Sequence, residues 1–408
     1  MNFNIRDYGA VADGKTLNTA AIQAAINACH EAGGGRVIVE GGTYMTGTIV
    51  LKGNVDLHLE VNAVLLGSPR CEDYPEFPKK HVSAEKLPRH RGGALIFAEE
   101  CDNISITGRG TIDANGYSFV EKVDNYHAGW RFRRIDAPTP PRVAFFTGCR
   151  NVLVEDVTMI GQPAGWSYWI HDCDYVSFDR VKILADAEFP NNDGIHINSS
   201  RNVTVSNAII TTGDDCIVVR ANNISLAENK VCEKVAITNC TLTSHTNGIR
   251  IGWLNDGTIR NCVFTGIAMS ETRTGISITL PSRGDEPLAD EGREDTLIEN
   301  LSFSNITMDS IYLRPVQIDI ANCPHTRCEA IRDIYFDNIH ARSLGFPSVV
   351  GRKDRHVQNI HFTNCTFRKV TPDKMSYYFE PLLKDANPLI VKYADNIVFH
   401  NTTQSADE

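Results

Sequence analysis

The chain lacks any stretch near the roughly 20 consecutive apolar residues of a membrane-spanning helix, which excludes that class of anchor. It also lacks a run of Lys and Arg, and its formal net charge is −10, so a nucleic-acid surface is excluded too. The opening, MNFNIRDYGAVADG, has neither the basic nor the apolar region of a secretory leader. A cytoplasmic setting with reduced thiols is the expectation drawn from this. No linker-like composition interrupts the 408 residues, which read as one domain, 1–408. Hydrophobic content of 42 % and charged content of 22 % fit a globular protein with a large core.

A metal motif is missing as well, although Cys is plentiful. Four of the twelve Cys share one context: TGCRN at Cys149, TNCTL at Cys240, RNCVF at Cys262 and TNCTF at Cys365. Free Cys behaves as a small buried hydrophobe, so this repetition predicts an interior ladder of thiols. The nearest approach to a metal site is CPHTRC, with Cys323, His325 and Cys328. Its spacing matches no common zinc site and no second half follows. No metal is expected.

What is present is a repeat. From residue 103 onward short alternating segments recur, among them NISITGRGTI, NVLVEDVTMI, YVSFDRVKIL, NVTVSNAIIT and KVAITNCTLT. Each opens with Asn or a turn and runs through Val, Ile, Thr or Phe, at intervals mostly in the twenties and low thirties. Periods of about 20 to 50 residues mark solenoids and propellers. A propeller blade needs four strands, whereas each unit here offers two or three short ones. That pattern predicts a parallel β-helix, whose stacked coils bury their inward faces. The Asn-X-Ser/Thr sequences at Asn103, Asn202, Asn239, Asn305 and Asn364 then read as turn chemistry.

A solenoid must seal its ends. TLNTAAIQAAINACHEA, residues 16 to 32, predicts a capping helix, with Asn18 or Thr19 as N-cap and Gly33 to Gly35 as the stop. Cap and first coils take up about 1–68. Insertions at about 69–92 and 117–141 interrupt the early repeats, and long loops in a regular array usually build a binding face. The loop GWRFRRIDAPTPPR gathers Arg131, Arg133, Arg134 and Arg142, which either reach over the cleft toward an acidic sugar or, the reading slightly favoured, pair with surface acids.

Three carboxylates stand apart from the pattern: Asp193 in FPNNDG, and Asp214 and Asp215 in TTGDDC. Stacking places the two groups about one coil spacing, roughly 5 Å, apart. Adjacent Asp residues on a strand point to opposite faces, so for both to serve one site the chain must bend at Gly213-Asp214. Glycosidic cleavage uses such a cluster, one carboxyl protonating the leaving oxygen while another activates water. Crowding divides the roles, because repulsion keeps one group protonated while its neighbour ionises.

At these residues the chain resembles the polygalacturonase-type glycoside hydrolases, glycoside hydrolase family 28. NNDG and GDDC, set in this repeat and following DYGAVADGKTLNTAAIQAAI, carry the likeness, which extends over nearly the whole chain. The resemblance implies a right-handed parallel β-helix that hydrolyses pectin-type substrates with inversion and needs no metal or organic cofactor. Its Asn-x-Asp and Asp-Asp motifs fall on Asn191 to Asp193 and on Asp214 and Asp215. Carried over, Asp214 is the general acid, while Asp193 and Asp215 hold and activate the water.

Two motifs depart from the family. Gly-His-Gly becomes TNGIRIG, Thr246 to Gly252, with Asn247 in the place of the His and His245 two residues earlier. Arg-Ile-Lys becomes TGISIT, with Ser277 and Thr279 in place of the cations. Hydroxyls do not reproduce a charge-assisted contact to a uronate carboxylate. The acids are thus expected to be kept and the recognition site altered, with Arg250 and Arg273 as candidates to supply the charge. If neither faces the acids, a neutral sugar such as rhamnose is expected.

All four Trp, at 130, 166, 169 and 253, fall around the acidic cluster. Aromatic rings pack well on sugar faces, and Trp253, directly after RIG, is the clearest candidate. His171, resembling a family His one coil before the first Asp, and His196 join the candidate binding residues. The reading is an all-β, right-handed parallel β-helix with an N-terminal capping helix, acting as a glycoside hydrolase on plant cell-wall oligosaccharides. The long early loops suggest exo action. Its partner is an oligo- or polysaccharide, and its oligomeric state is not legible. Two rivals stay open: a β-helix polysaccharide lyase, and a non-catalytic carbohydrate-binding solenoid.

Overall fold

Val152, Val176, Val203, Val235 and Cys262 stand in one register column, each on the next coil of a parallel sheet. The column continues through Leu301, Ile334, Ile360 and Ile397. This is the computed structural model of the chain, and it describes all residues except 77–79, 88–92, 124–129, 135–141, 283–293, 371–387 and 407–408. Its strands join in one long parallel sheet wound as a right-handed β-helix, the hand that parallel crossovers favour.

Each coil contributes to three faces. The first holds Arg150–Glu155, Asp174–Asp179, Arg201–Ser206 and Cys232–Thr238. The second is short: Thr158–Ile160, Lys182–Leu184, Ile209–Thr212 and Thr241–Ser244. The third holds Arg142–Thr147, Tyr168–His171, Ile195–Asn198, Ile217–Arg220 and Asn247–Ile251. On the first face buried Val152 and Val154 alternate with residues that meet solvent. Along the third face both sides of the strands are buried, so something covers its outer surface.

The Asn-rich turns are left-handed. Asn103, Asn151, Asn202, Asn239, Asn305 and Asn364 all have φ between 53 and 55°, a region Asn tolerates better than most residues. Their side chains also bond from coil to coil, Asn151 Nδ2 donating to Asn103 Oδ1 at 2.7 Å and Asn338 Nδ2 to Asn305 Oδ1 at 2.8 Å. The turn reading of the Asn-X-Ser/Thr sequences is therefore sufficient.

Cys149, Cys240, Cys262 and Cys365 are buried, as expected, but they do not make one ladder. Cys262 pairs in register with Val235 and Leu301 on the first face. Cys240 and Cys365 instead immediately precede strands of the second face, at Thr241–Ser244 and Thr366–Lys369. The shared context Asn-Cys marks a turn in two of these cases and a strand interior in the other. Phe264, Phe303, Phe336, Phe362 and Phe399 do form a ladder, with ring centroids 4.6 to 5.0 Å apart and planes within 14°.

The helix Thr19–Glu31 seals the N-terminal end, burying Ile22, Ala25, Ile26 and Cys29. Asn18 holds the N-cap position without a capping bond. Its side chain is spent on the preceding loop, accepting from Val11 N at 2.7 Å and donating to Thr16 O at 2.7 Å. Thr19 Oγ accepts from Gly47 N at 2.7 Å and so ties the helix to the first coils.

The described residues of the first insertion lie against the third face, and those of the second against the loops that precede its strands. Val82 and Leu87 of the first pack on Phe97, Phe145, Trp166 and Trp169. Ser83 N donates to Ser225 O at 2.7 Å, and His81 Nε2 lies 2.9 Å from Asp172 Oδ2. In the second, Val120–Lys122 pairs antiparallel with Phe132–Arg134, and Trp130 Nε1 donates to Gly213 O at 2.7 Å. Arg131 and Arg133 pair with Glu188 and Glu121 as expected. Arg142 departs from that expectation: it is buried, its guanidinium 4.3 Å from the Trp169 ring, because it opens a strand of the third face and does not project from a loop.

Phe303 is fully buried between Phe264 and Phe336. Phe303→Ala is expected to cost about 3–5 kcal/mol, read as a lowered midpoint of denaturant unfolding. An unchanged midpoint would show that the coils carry the load without the aromatic stack.

Candidate active site

Asp193 ends the loop before Ile195–Asn198, and Asp214 and Asp215 end the turn before Ile217–Arg220. These two strands are neighbours in register, and Gly194 N donates to Asp215 O at 2.9 Å. The spacing read from the sequence is therefore realised. Oxygens of all three carboxylates lie within 4.8 Å of one another. Asp193 and Asp215 are buried, whereas Asp214 is half-exposed and the most accessible of the three.

The bend that brings Asp214 and Asp215 to one side is held by a residue the sequence reading passed over. Asn192 Oδ1 accepts from both Gly213 N, at 2.8 Å, and Asp214 N, at 3.1 Å. Gly213 is needed there, since a Cβ would lie 2.2 Å from Phe189 O. Ser244 Oγ, at 2.6 Å, and the Thr212 hydroxyl both donate to Asp214 O. Asn191 Nδ2 donates to Asp214 Oδ2 at 2.8 Å.

Asn247 stands where the resemblance places a His, and its Nδ2 donates to Asp215 Oδ1 at 2.5 Å. Thr246 Oγ1 lies 3.0 Å from Asp214 Oδ1 and 2.8 Å from Asp215 Oδ1. A hydroxyl carries one proton, which it gives to one of these oxygens or shares between the two. The three carboxylates are also the one group among the described residues with donor atoms near enough for a metal. Amide, hydroxyl and imidazole groups already engage an oxygen of each carboxylate, so proximity alone does not make a cation site.

The three His candidates have different surroundings. His245 is half-buried, burial lowers its pKa, and the acidic charge that opposes the shift is Asp186, outside the cluster. His171 is buried and its pKa is pushed down to about 3 by loss of water. Asn198 Nδ2 donates to its Nδ1 at 2.9 Å, within the third face. His196 is 4 % exposed, with Nε2 3.1 Å from Asp193 Oδ2 and its ring stacked on Trp166 at 3.7 Å.

Of the two candidate cations, Arg250 stands on the coil next to that of the acids, in register with Val218. Arg250 is 9 % exposed, its guanidinium 4.3 Å from the Trp253 ring, and its one hydrogen bond among the described residues is to Gly252 O at 3.3 Å. Burial pushes its pKa down while the charges of Asp215 and Asp214 oppose that shift. Arg273, half-buried, shows the same balance, with Asp215 as the opposing charge. Among the described residues neither closes an ion pair, in contrast to Arg220, which binds both oxygens of fully buried Asp256 at 2.6 Å. Arg250 is in register with Ser277, so the guanidinium stands one rung from the position the resemblance reserves for Arg. Ser277 and Thr279 are buried on the next coil, their hydroxyls 3.2 Å apart.

Comparison with known proteins agrees with this geometry. The family of glycosyl hydrolases family 28 matches residues 79–345, and the rhamnogalacturonase A/epimerase, pectate lyase-like family matches residues 2–117. An exopolygalacturonase of Platanus acerifolia is 25 % identical over 92 % of this chain and 90 % of its own length. The crystal structure of an exopolygalacturonase from Thermotoga maritima superposes with a TM-score of 0.71 at 20 % identity, covering 98 % of this chain and 92 % of its own. A family 28 exopolygalacturonase of Yersinia enterocolitica gives 0.70 at 20 % identity, over 97 % and 78 %.

The side chain of buried Asn192 accepts from Gly213 N and Asp214 N and donates to Asp186 O at 2.7 Å, so its bonds hold the backbone around the turn. Asn192→Ala should therefore lower turnover about 100-fold, the usual cost of misplacing a reacting group by about 1 Å, with the circular dichroism of the coils unchanged. Turnover at the wild-type level would show that Ser244 and Thr212 hold the bend alone.

Proposed function

The chain belongs to glycosyl hydrolases family 28, and from that premise we propose that it removes terminal uronate residues, galacturonate foremost, from pectin-type oligosaccharides. One observation carries the substrate: Arg250, buried against Trp253 and in register with Ser277, closes no ion pair among the described residues, and Arg273 closes none there either. A buried guanidinium without an ion pair is costly, and a sugar carboxylate supplies the opposite charge in a charge-assisted contact.

Exo action is supported by what fills the groove. The outer column of the third face runs Phe97, Phe145, Trp169, His196, Val218, Arg250, Ser277. On the N-terminal side of His196 it is aromatic and covered by Val82 and Leu87. A polymer running past the acids in that direction would have to displace this cluster. A chain end, by contrast, can abut it.

In the proposed reaction Asp214 gives its proton to the glycosidic oxygen as the bond to the anomeric carbon breaks. A water held between Asp193 and Asp215 attacks that carbon from the opposite face, and its proton passes to one of these carboxylates. No covalent sugar–enzyme bond forms, so the configuration inverts. The oxygens here approach within 4.8 Å, closer than the roughly 6.5–9.5 Å between carboxyls in most inverting enzymes. Nearest oxygens understate the separation of the groups, and a third carboxylate gives the water two acceptors on one side.

Product analysis tests the reading. With trigalacturonate and longer oligomers, the terminal monosaccharide should be the first product at every chain length, and proton NMR should show the inverted anomer first. A spread of internal fragments would sink exo action, and a retained anomer would sink the single displacement. Asp214→Asn should lower kcat by about 10²–10⁴-fold. Arg250→Ala and Arg273→Ala should raise KM for uronate substrates. A wild-type rate on rhamnose-capped fragments, with none on galacturonate, would show that the glycone is neutral.

A further inference from the structure

The proposed reaction leaves one buried titratable group beside the acids without a task. His196 is 4 % exposed, and Trp166 covers its ring face to face, 3.7 Å between centroids with planes 8° apart. Nε2 lies 3.1 Å from Asp193 Oδ2, and Nδ1 has no hydrogen bond among the described residues. So little exposed surface leaves the imidazole no face for a sugar.

The protonation state follows from the surroundings. Loss of water pushes the pKa of His196 well below its ordinary value, with Arg220 and Arg142 reinforcing the shift and Asp215 and Asp256 opposing it. A second imidazole, His171, feels its charge as well. A neutral imidazole has one N–H. Were that hydrogen on Nδ1, a buried donor would be unmatched, and Nε2 would face a carboxylate with no proton between them. With the hydrogen on Nε2, it donates to Asp193. A donor bond to the charged form of a carboxylate stabilises that form and fixes its orientation.

Trp166 is held in turn. The Arg142 guanidinium lies 4.9 Å from its ring, and it packs in the cluster that contains Val82 and Leu87 of the first insertion. The residues that fill the end of the groove therefore also keep water from His196.

We infer that His196 is a positioning residue, donating from Nε2 to hold Asp193 ionised and aimed at the water, and that Trp166 keeps it dry. The inference rests on the reading of Asp193 as a water-activating carboxylate.

The test compares His196→Leu and His196→Gln in the full chain on trigalacturonate, with Asp193→Asn beside them. Loss of the donor in His196→Leu should lower kcat about 10- to 100-fold, the usual effect of removing a group that orients a functional ligand, with KM unchanged. The acidic limb of its kcat profile should move to higher pH, because an unsupported carboxylate holds its proton more tightly. His196→Gln keeps an N–H donor and should restore both kcat and the limb. Full activity in Asp193→Asn would overturn the underlying reading and the inference with it. Loss in Asp193→Asn with an unmoved acidic limb in His196→Leu would overturn the inference alone. Should the Leu variant not fold, nitrogen NMR of the wild-type imidazole decides: an Nε2–H neutral ring that does not titrate near the ordinary His value is expected. An imidazolium or an Nδ1–H tautomer would refute it.

Discussion

Backbone hydrogen bonds between successive coils set the scale of everything in this molecule. Stacked parallel strands lie roughly 4.8 Å apart, and each outward side chain stands directly over one on the next coil. Gly194 N to Asp215 O and Cys216 N to Asn247 O, both 2.9 Å, tie together the three coils that carry Asp193, Asp215 and Asn247. Without that ladder the separation of the acids would rest on a few side-chain bonds such as those of Asn191 and Asn192. The same spacing suits stacked rings, as the Phe264 to Phe399 column shows.

A site built from columns can exchange residues between rungs. The chain has hydroxyls at Ser277 and Thr279, where the family resemblance calls for Arg and Lys. It has Arg250 in the rung before Ser277, in register with it. Moving a guanidinium by one rung shifts it by about one strand spacing, which a long flexible side chain can absorb. Trp253 beneath the guanidinium, at 4.3 Å, gives the relocated charge a cation–π support. The substitution of Asn247 for His is of another kind. An amide donates to Asp215 without titrating, so the site carries no ionisable imidazole at that position, and Thr246 links Asp214 to Asp215.

The insertions give the regular scaffold its asymmetry. A bare solenoid presents an open groove along each face. Here Val82 and Leu87 cover the aromatic part of the third face, and Trp130 reaches the carbonyl of Gly213 beside the acids. His196 and Arg142 pack on Trp166 within that covered cluster, and Arg250 lies over Trp253, so all three combine polar chemistry with low exposure.

Periodicity in the sequence was enough to establish the coil repeat, the interior face of each strand, the capping helix and the Asn turns, because each depends on contacts that recur at a fixed interval. The three Asp residues were legible for the same reason: their spacing matches the coil. Asn192, Thr246 and Ser244 were not, since a side chain that holds a turn by its own oxygen looks like any polar loop residue. The Asn-Cys context misled in part, placing Cys240, Cys262 and Cys365 in one ladder although they occupy two different positions on the coil. The direction of Arg250 and Arg273, the cover over the groove and the partner of His196 were decided only by tertiary structure. These depend on which distant segment packs against the outer face, and an aperiodic insertion carries no repeat from which its docking could be read.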